Sequence, residues 1–247
     1  MSRGAQLTWA ALLALLGAFL LTPESFAPLF RPFAPGDTPP IYAQTPLWTL
    51  AVDHLLLVAA ATLASTGIAL GLAIAATRPA GREMLPFARS VTRIGQTFPP
   101  VAVLALAVPI FGFGAVPTLI ALVLYGLLPI FETALTGLDG LDPALMEAAR
   151  GMGMTDRQRL VQVELPLALP MILSGIRLAA VIGLATATIG STVAASTLGE
   201  VIVSGLLSGN TAYVLQGGLV VSALALLIDA GFRRLERAAA RRAGFRS

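Results

Sequence analysis

The sequence predicts an all-α, polytopic membrane protein with about six spans, a core of five helices behind an N-terminal span, and a short polar helix on one membrane face. Three observations predict it. The 247 residues are 56% apolar and 12% charged, with a mean hydropathy of +0.84, whereas a soluble domain is about one quarter charged. Apolar stretches recur near the length of roughly 20 residues that crosses about 30 Å of hydrocarbon. Arginines crowd into the gaps between those stretches, mostly in the gaps that fall on one side.

All sixteen basic residues are arginine. Without lysine the chain has no Walker A phosphate loop, so any ATP, and the Mg²⁺ that accompanies it, would sit on another protein. The absence of cysteine removes disulfides, thiolate nucleophiles and cysteine metal sites, and one histidine, His54, makes no metal cluster. No cofactor is therefore expected in this chain. The pI of 10.2 comes from arginines beside apolar runs rather than a basic stripe interleaved with aromatics, so the expected surroundings are a lipid bilayer and not nucleic acid.

The first candidate crossing is LTWAALLALLGAFLL, Leu7 to Leu21, in a charge-free window preceded by Arg3. SFA at Ser25 to Ala27 resembles a signal-peptidase site, so cleavage competes with a retained helix; retention is expected because the apolar window outlasts a signal-peptide core. Pro23 to Pro46 reads as an extended loop with no helix of its own. The second crossing, Leu55 to Ala76, is uncharged and stops at Arg78 and Pro79, with Asp53 and His54 marking its outer end. Ile94 to Phe131 is 38 uncharged residues, about 57 Å as straight helix and so close to two traverses. FGFGAVP, Phe111 to Pro117, supplies the turn between them. The fifth crossing runs from about Pro166 to Gly190, interrupted only by Arg177, and the sixth from about Tyr213 to Ile228. Asp229 and Arg233 follow at i, i+4 as an interfacial ion pair.

Arg78, Arg82, Arg89 and Arg93 share one loop, Arg150, Arg157 and Arg159 another, and Arg233, Arg234, Arg237, Arg241, Arg242 and Arg246 follow the last span. With Arg3 these make fourteen on one side against Arg31 alone on the other. The bias places both termini in the cytoplasm.

The polar block between the fourth and fifth crossings lies on that same side. Asp142 suits an N-cap and Pro143 the first helical position, where a missing N–H is unpaired anyway. Leu145, Ala148, Ala149 and Met152 fall at i, i+3, i+4 and i+7 and form one small-to-apolar stripe, while Glu147 and Arg150 point elsewhere and can pair. Gly151 and Gly153 permit a sharp bend. Thr155 and Gln158 then form a capping-box pattern for a second short helix, which Pro166 ends. A helix resting on lipid carries excess arginine or lysine; here Glu147, Asp156 and Glu164 balance three arginines, which favours a protein partner over headgroups.

EAARGMGMTDRQRLVQVELPLALP, Glu147 to Pro170, resembles the EAA loop of type I ABC importer permeases, with Glu147, Ala148, Ala149, Gly153, Leu165 and Pro166 in the matching positions. IGQTFPP (Ile94 to Pro100), GLDGLDPALMEAARGMGM (Gly137 to Met154) and VELPLALPMILSGIR (Val163 to Arg177) are most similar to permeases for glycine betaine, choline or carnitine. The resemblance spans about Trp48 to Phe232. It divides the chain into an N-terminal span with a Pro-rich external loop (1–47), the importer transmembrane domain (48–232) with its EAA loop at about 139–166, and an Arg-rich cytoplasmic tail (233–247).

The resemblance implies a non-catalytic transport subunit of a bacterial cytoplasmic membrane. Its partners would be a cytoplasmic ABC ATPase dimer, a second permease subunit of the same or a sister kind, and an extracytoplasmic solute-binding protein. Glu147, Ala148, Ala149, Met152 and Gly153 would shape a coupling helix seated in the ATPase. Irregular backbone and polar groups at membrane depth are tolerated inside protein or along a water-filled route, which makes Gln96, Pro99, Pro109, Glu132, Thr186 and Ser191 the candidate pathway residues, with Pro100, Gly126 and Pro129 beside them. Glu132 either attracts a quaternary ammonium solute or pairs with an arginine. One departure stands out: where the family often has IGAGGLG before the last span, this chain has VAASTLG, Val193 to Gly199, and residues with a Cβ lose easy access to positive φ. A permease for another small solute such as an amino acid, a secondary transporter or channel, and a membrane scaffold are the rival readings; the transporter would need ionisable groups for ion coupling within the spans.

Overall fold

The computed structural model describes residues 3–244, with side chains from Thr8 onward; Arg246, and the side chains of Arg3 and Leu7, lie outside the described residues. Every regular element among them is helical. Four helices are long and apolar enough to cross a membrane, or up to six if each of two bent pairs is one span, in keeping with the expected count.

Helix α1, Arg3–Leu21, is followed by a bend of 110°. The stretch after it is not the extended loop expected: it opens with a 3-10 turn Pro23–Phe26, helix α2 (Ala27–Phe30) and a second 3-10 turn Arg31–Phe33. Each carries proline at its first or second position, where proline removes no helical hydrogen bond. Phe19 fastens the bend, its ring 5.2 Å from Phe26 and 5.4 Å from Phe30.

Helix α3, Leu47–Thr77, begins two turns earlier than the hydropathy indicates, because the Pro46 carbonyl accepts from the N–H groups of Thr49 and Leu50 at 3.0 and 3.2 Å. Asp53 and His54 therefore lie inside the helix rather than at its end. Both are tolerated because they are partnered: Ser196 donates to Asp53 at 2.7 Å, while the fully buried His54 has Nε2 3.0 Å from the Leu184 carbonyl and Nδ1 accepting from the Leu198 N–H at 3.3 Å.

A 3-10 segment, Pro79–Met84, leads into α4, Leu85–Thr97, and then α5, Pro100–Phe111, which bends from the preceding pair by 94°. The third crossing is broken here, at the prolines that the sequence places within it. Proline disfavours helical geometry in the residue before it, and Phe98 is extended at φ −97, ψ 138; the Tyr125 hydroxyl donates to the Phe98 carbonyl freed by the break. The predicted turn is present, with Gly112 and Gly114 at φ 77 and 121. Helix α6, Ala115–Asp139, follows.

The polar block forms α7 (Pro143–Gly151) and α8 (Asp156–Arg159), and α8 continues through a π turn, Leu160–Glu164, into α9, Leu165–Ala187. Pro166 thus begins a long helix instead of ending a short one. After a 3-10 turn, Thr188–Val193, come α10 (Gly199–Ser208), absent from the sequence reading, and α11, Thr211–Arg242, which runs well past the predicted end at Ile228.

The chain forms two compact units. Unit 1 comprises Met1–Ala60, Pro100–Leu122 and Gly183–Leu227, and its largest buried side chains include Ile41, Tyr42, Leu184, Leu198 and Val201. Unit 2 comprises Ala61–Pro99, Val123–Ile182 and Ile228–Ser247, and centres on Ala69, Ala73, Ile130, Phe131, Ala134, Leu135, Ala168 and Ile172. Small residues bring its helices together: a Cβ on Gly95 would lie 2.2 Å from the Leu124 carbonyl oxygen, so α4 crosses α6 at backbone contact.

Candidate functional site

The site is the elbow of unit 2, built on both sides of α7. At its start the Asp142 carboxylate accepts from the Ala144 N–H at 2.9 Å and Pro143 occupies the first turn, the cap expected from the sequence. At its end Gly153 has φ 77; its N–H donates to the Arg150 carbonyl at 2.9 Å and that of Met154 to Ala149 at 3.2 Å. These two bonds are a Schellman closure, which needs a left-handed residue just past the helix. Thr155 then starts α8 with a capping box: its hydroxyl accepts from the Gln158 N–H at 3.3 Å and its own N–H donates to the Gln158 side chain at 2.8 Å.

The base of the elbow is electrostatic. In the π turn the Leu165 N–H reaches back five residues to the Leu160 carbonyl, widening the helix one turn before Pro166 would meet a helical carbonyl. The turn carries Glu164, whose side chain is only 8% exposed and is held by both Arg78 terminal nitrogens. Arg159 Nε lies 4.0 Å from the same carboxylate, and its Nη2 is 2.7 Å from Asp156. Arg78 also donates from Nε to the Ile74 carbonyl at 3.3 Å, closing the end of α3. The Glu164 hydrogen bond raises the Arg78 pKa above its ordinary value, against the opposing effect of burial, so Arg78 is charged at any physiological pH. A cavity of about 760 Å³ opens over this base, lined by Arg78, Arg82, Asp139, Glu147, Arg150 and Glu164 among others.

Of the predicted coupling residues, Glu147 lines this cavity, Ala149 is buried at 2% exposure, and Ala148 and Gly153 are exposed. Met152 is 74% exposed and Leu145 41%, so most of the predicted stripe faces outward. Glu147 and Arg150 share the cavity without forming the ion pair expected of them. What the sequence reading missed is the anchoring Arg78–Glu164 pair, whose members are 86 positions apart. The only available signal was a carboxylate, Glu164, in an otherwise apolar approach to a span.

The candidate pathway residues are divided between the two units. Gln96, Pro99 and Glu132 belong to unit 2. Gln96 donates to the Tyr125 carbonyl at 3.4 Å and Pro99 is exposed at the α4–α5 break. Glu132 lies between Arg89 at 3.7 Å and Arg93 at 3.6 Å, the ion-paired alternative. Pro109, Thr186 and Ser191 belong to unit 1; Pro109 is exposed within α5, Thr186 is half-buried near the end of α9, and Ser191 lines an open cavity beside Gln44 and Glu200. Of the neighbouring residues, Pro100 starts α5, while Gly126 and Pro129 are buried within α6. Arg177, which interrupts the fifth crossing, bonds Asp229 at 2.9 Å and Glu236 at 2.7 Å, and Arg233 makes the expected pair with Asp229 at 2.6 Å.

Several apolar spans with an anchored polar elbow between two of them describe a polytopic membrane protein. The family profile described as "Binding-protein-dependent transport system inner membrane component" matches residues 67–241. The chain belongs to this family, the permease subunits of ABC importers. It is 38% identical over 186 residues to the osmoprotectant import permease protein OsmY of Salmonella typhimurium, covering 75% of this chain and 79% of that one. It is 37% identical to the carnitine transport permease protein OpuCB of Listeria monocytogenes, over 74% of this chain and 84% of the relative. It is 39% identical to the glycine betaine/carnitine/choline transport system permease protein OpuCD of Bacillus subtilis, over 71% and 75%. Among solved structures, the inward-facing MetNI methionine ABC transporter superposes with a TM-score of 0.69 at 22% identity, covering 80% of this chain and 99% of that chain. An amino acid ABC transporter does so at 0.61 and 19%, covering 90% and 98%. These two share the fold.

Proposed function

We propose that this permease subunit forms the membrane pathway for a quaternary ammonium osmoprotectant such as glycine betaine, choline or carnitine, and that α7 is the helix through which a separate ATPase drives it. The solute reading is supported by the substrates in the relatives' names. The coupling reading is carried by one observation: α7 turns apolar and small side chains outward, Met152 foremost, while its base is fastened by the nearly buried Glu164. An exposed apolar stripe on a rigid mount suits a protein groove.

In this reading both termini and the elbow face the cytoplasm, ATP and Mg²⁺ stay on the ATPase dimer, and a second permease subunit completes the pathway. ATP binding closes the ATPases, draws the coupling helices together and opens the pathway outward, where the solute-binding protein delivers its load; hydrolysis resets it. The chain itself performs no chemistry. A secondary transporter is disfavoured because it would need ionisable groups for ion coupling within the spans, and Glu132 and Arg177, which come nearest to that, each lie beside opposite charges.

Gly153→Asp and Glu147→Arg test the coupling assignment. Both variants are expected to insert normally and to lose ATPase pull-down and solute uptake together, by about tenfold or more for a disrupted interface centre. Pull-down and uptake that both match the wild type would discard it.

A further inference from the structure

Unit 1 carries four acids, Glu24, Asp37, Asp53 and Glu200, against two arginines, Arg3 and Arg31. Arg31 is occupied by Asp37 at 3.9 Å and the Thr38 carbonyl at 2.7 Å. His54 is held between Leu184 and Leu198. Among the described residues Glu200 therefore has no cationic partner, yet it is mounted with care. Its Oε1 accepts from the Tyr42 hydroxyl at 2.6 Å and from Thr45 at 2.7 Å, whereas Oε2 accepts no hydrogen bond among the described residues. Tyr42 is fixed in turn: its N–H donates to Gln216 at 3.1 Å, Gln216 donates to the Pro40 carbonyl at 2.7 Å, and Tyr213 meets its ring edge-on at 5.5 Å. Burial, with the Glu200 carboxylate adding to it, raises the Tyr42 phenol pKa well above the ordinary range, so it remains a donor. Glu200 lines an open cavity of about 410 Å³ with Gln44, Ser191, Ser204, Ser208 and two aliphatic side chains.

We propose that this cavity is a transit site for the cationic head of the solute, with the unsatisfied edge of the Glu200 carboxylate as its counter-charge. A quaternary ammonium has no N–H to satisfy, so it needs charge and contact rather than a fan of acceptors, and hydroxyl, amide and aliphatic walls around one carboxylate provide that. Among the described residues no aromatic side chain lines the cavity, so they form no aromatic cage with its strong cation–π grip. Weak holding is what passage requires, since a site on a route must release what it attracts. The inference rests on the quaternary ammonium reading for its solute but not for its charge chemistry.

The test uses the assembled importer. Tetramethylammonium binding to the permease–ATPase complex in nanodiscs is followed by saturation-transfer NMR, and choline uptake is measured in proteoliposomes with the binding protein present. Glu200→Gln is expected to weaken tetramethylammonium binding and raise the KM for choline about tenfold while leaving maximal uptake within about twofold; Tyr42→Phe, which removes one donor and keeps the ring, gives about threefold. Equal tetramethylammonium binding by wild type and Glu200→Gln overturns the site, as does a loss confined to binding-protein affinity, which would make Glu200 a docking contact. Glu200-dependent binding in a wild type that imports neither choline nor glycine betaine supports the cation site and sinks the solute reading instead.

Discussion

Ala194 is the one non-glycine residue with positive φ among the described residues, at φ 62, ψ 27. It stands where relatives of this kind often have the first glycine of IGAGGLG. The turn is left-handed here with alanine at that position, and the Cβ bears the strain, about 1–2 kcal/mol for an ordinary residue in that region. Ala194 is exposed, so its methyl group contributes little packing. Ala194→Gly is expected to stabilise the protein by about 0.5–1 kcal/mol after the greater freedom of glycine in the unfolded chain is subtracted. For a chain of this size that is a rise of about 2 °C in the thermal midpoint of the purified complex; an unchanged or lower midpoint would count against a left-handed Ala194. Gly153 is the converse case, a left-handed position that kept its glycine.

At the scale of elements, the elbow depends on a buried carboxylate that α7 itself does not contain. Glu164→Gln keeps the shape of the side chain and removes the charge that Arg78 and Arg159 share. Removing one member of a fully buried pair costs about 3–5 kcal/mol; Arg78 is 27% exposed at its side chain, which lowers the expectation to about 2 kcal/mol. Local opening of the elbow should then rise about thirtyfold, read as faster tryptic cleavage after Arg157 in detergent-solubilised complex. A double change of Arg78 and Glu164 to Met should recover part of the loss, because neither charge is stranded. If the single variant were cleaved at the wild-type rate, the pair would not be what holds the elbow.

The elbow's own caps are legible in the sequence. Asp142, Pro143, Gly153, Thr155 and Gln158 act through bonds of a few residues' reach, and such bonds leave local signatures. Its mount was not legible, since nothing near Glu164 points to Arg78. Pro166 misled for a related reason: a helix stop is the ordinary reading of proline, and only the preceding π turn, invisible to composition, lets the helix pass. Hydropathy located the spans but not their ends. Pro46 starts α3 with its carbonyl rather than with any apolar signal, and the polar pair Asp53 and His54 is satisfied from α9 and from the segment before α10, long-range partners that a window of sequence cannot see.

For the whole molecule, the two units differ in charge as much as in place along the chain. Unit 2 holds the remaining arginines, Arg78 to Arg246, and carrying them across hydrocarbon would be strongly unfavourable. A fluorescent protein fused after Ser247 is accordingly expected to fluoresce in intact cells, while an alkaline phosphatase inserted at Thr38 is active; the reverse pattern would invert the proposed topology. The same molecule-wide view gives the π turn a further meaning. It fixes the rotational phase between the elbow and the 23 residues of α9. Deleting a single residue from Leu160–Glu164 would barely shorten the helix, but it would swing everything before it by about 100° around the axis. Glu164 and the outward face of α7 could then no longer keep their present bearings together, so the length of this short turn is as strict a requirement as any side chain in it.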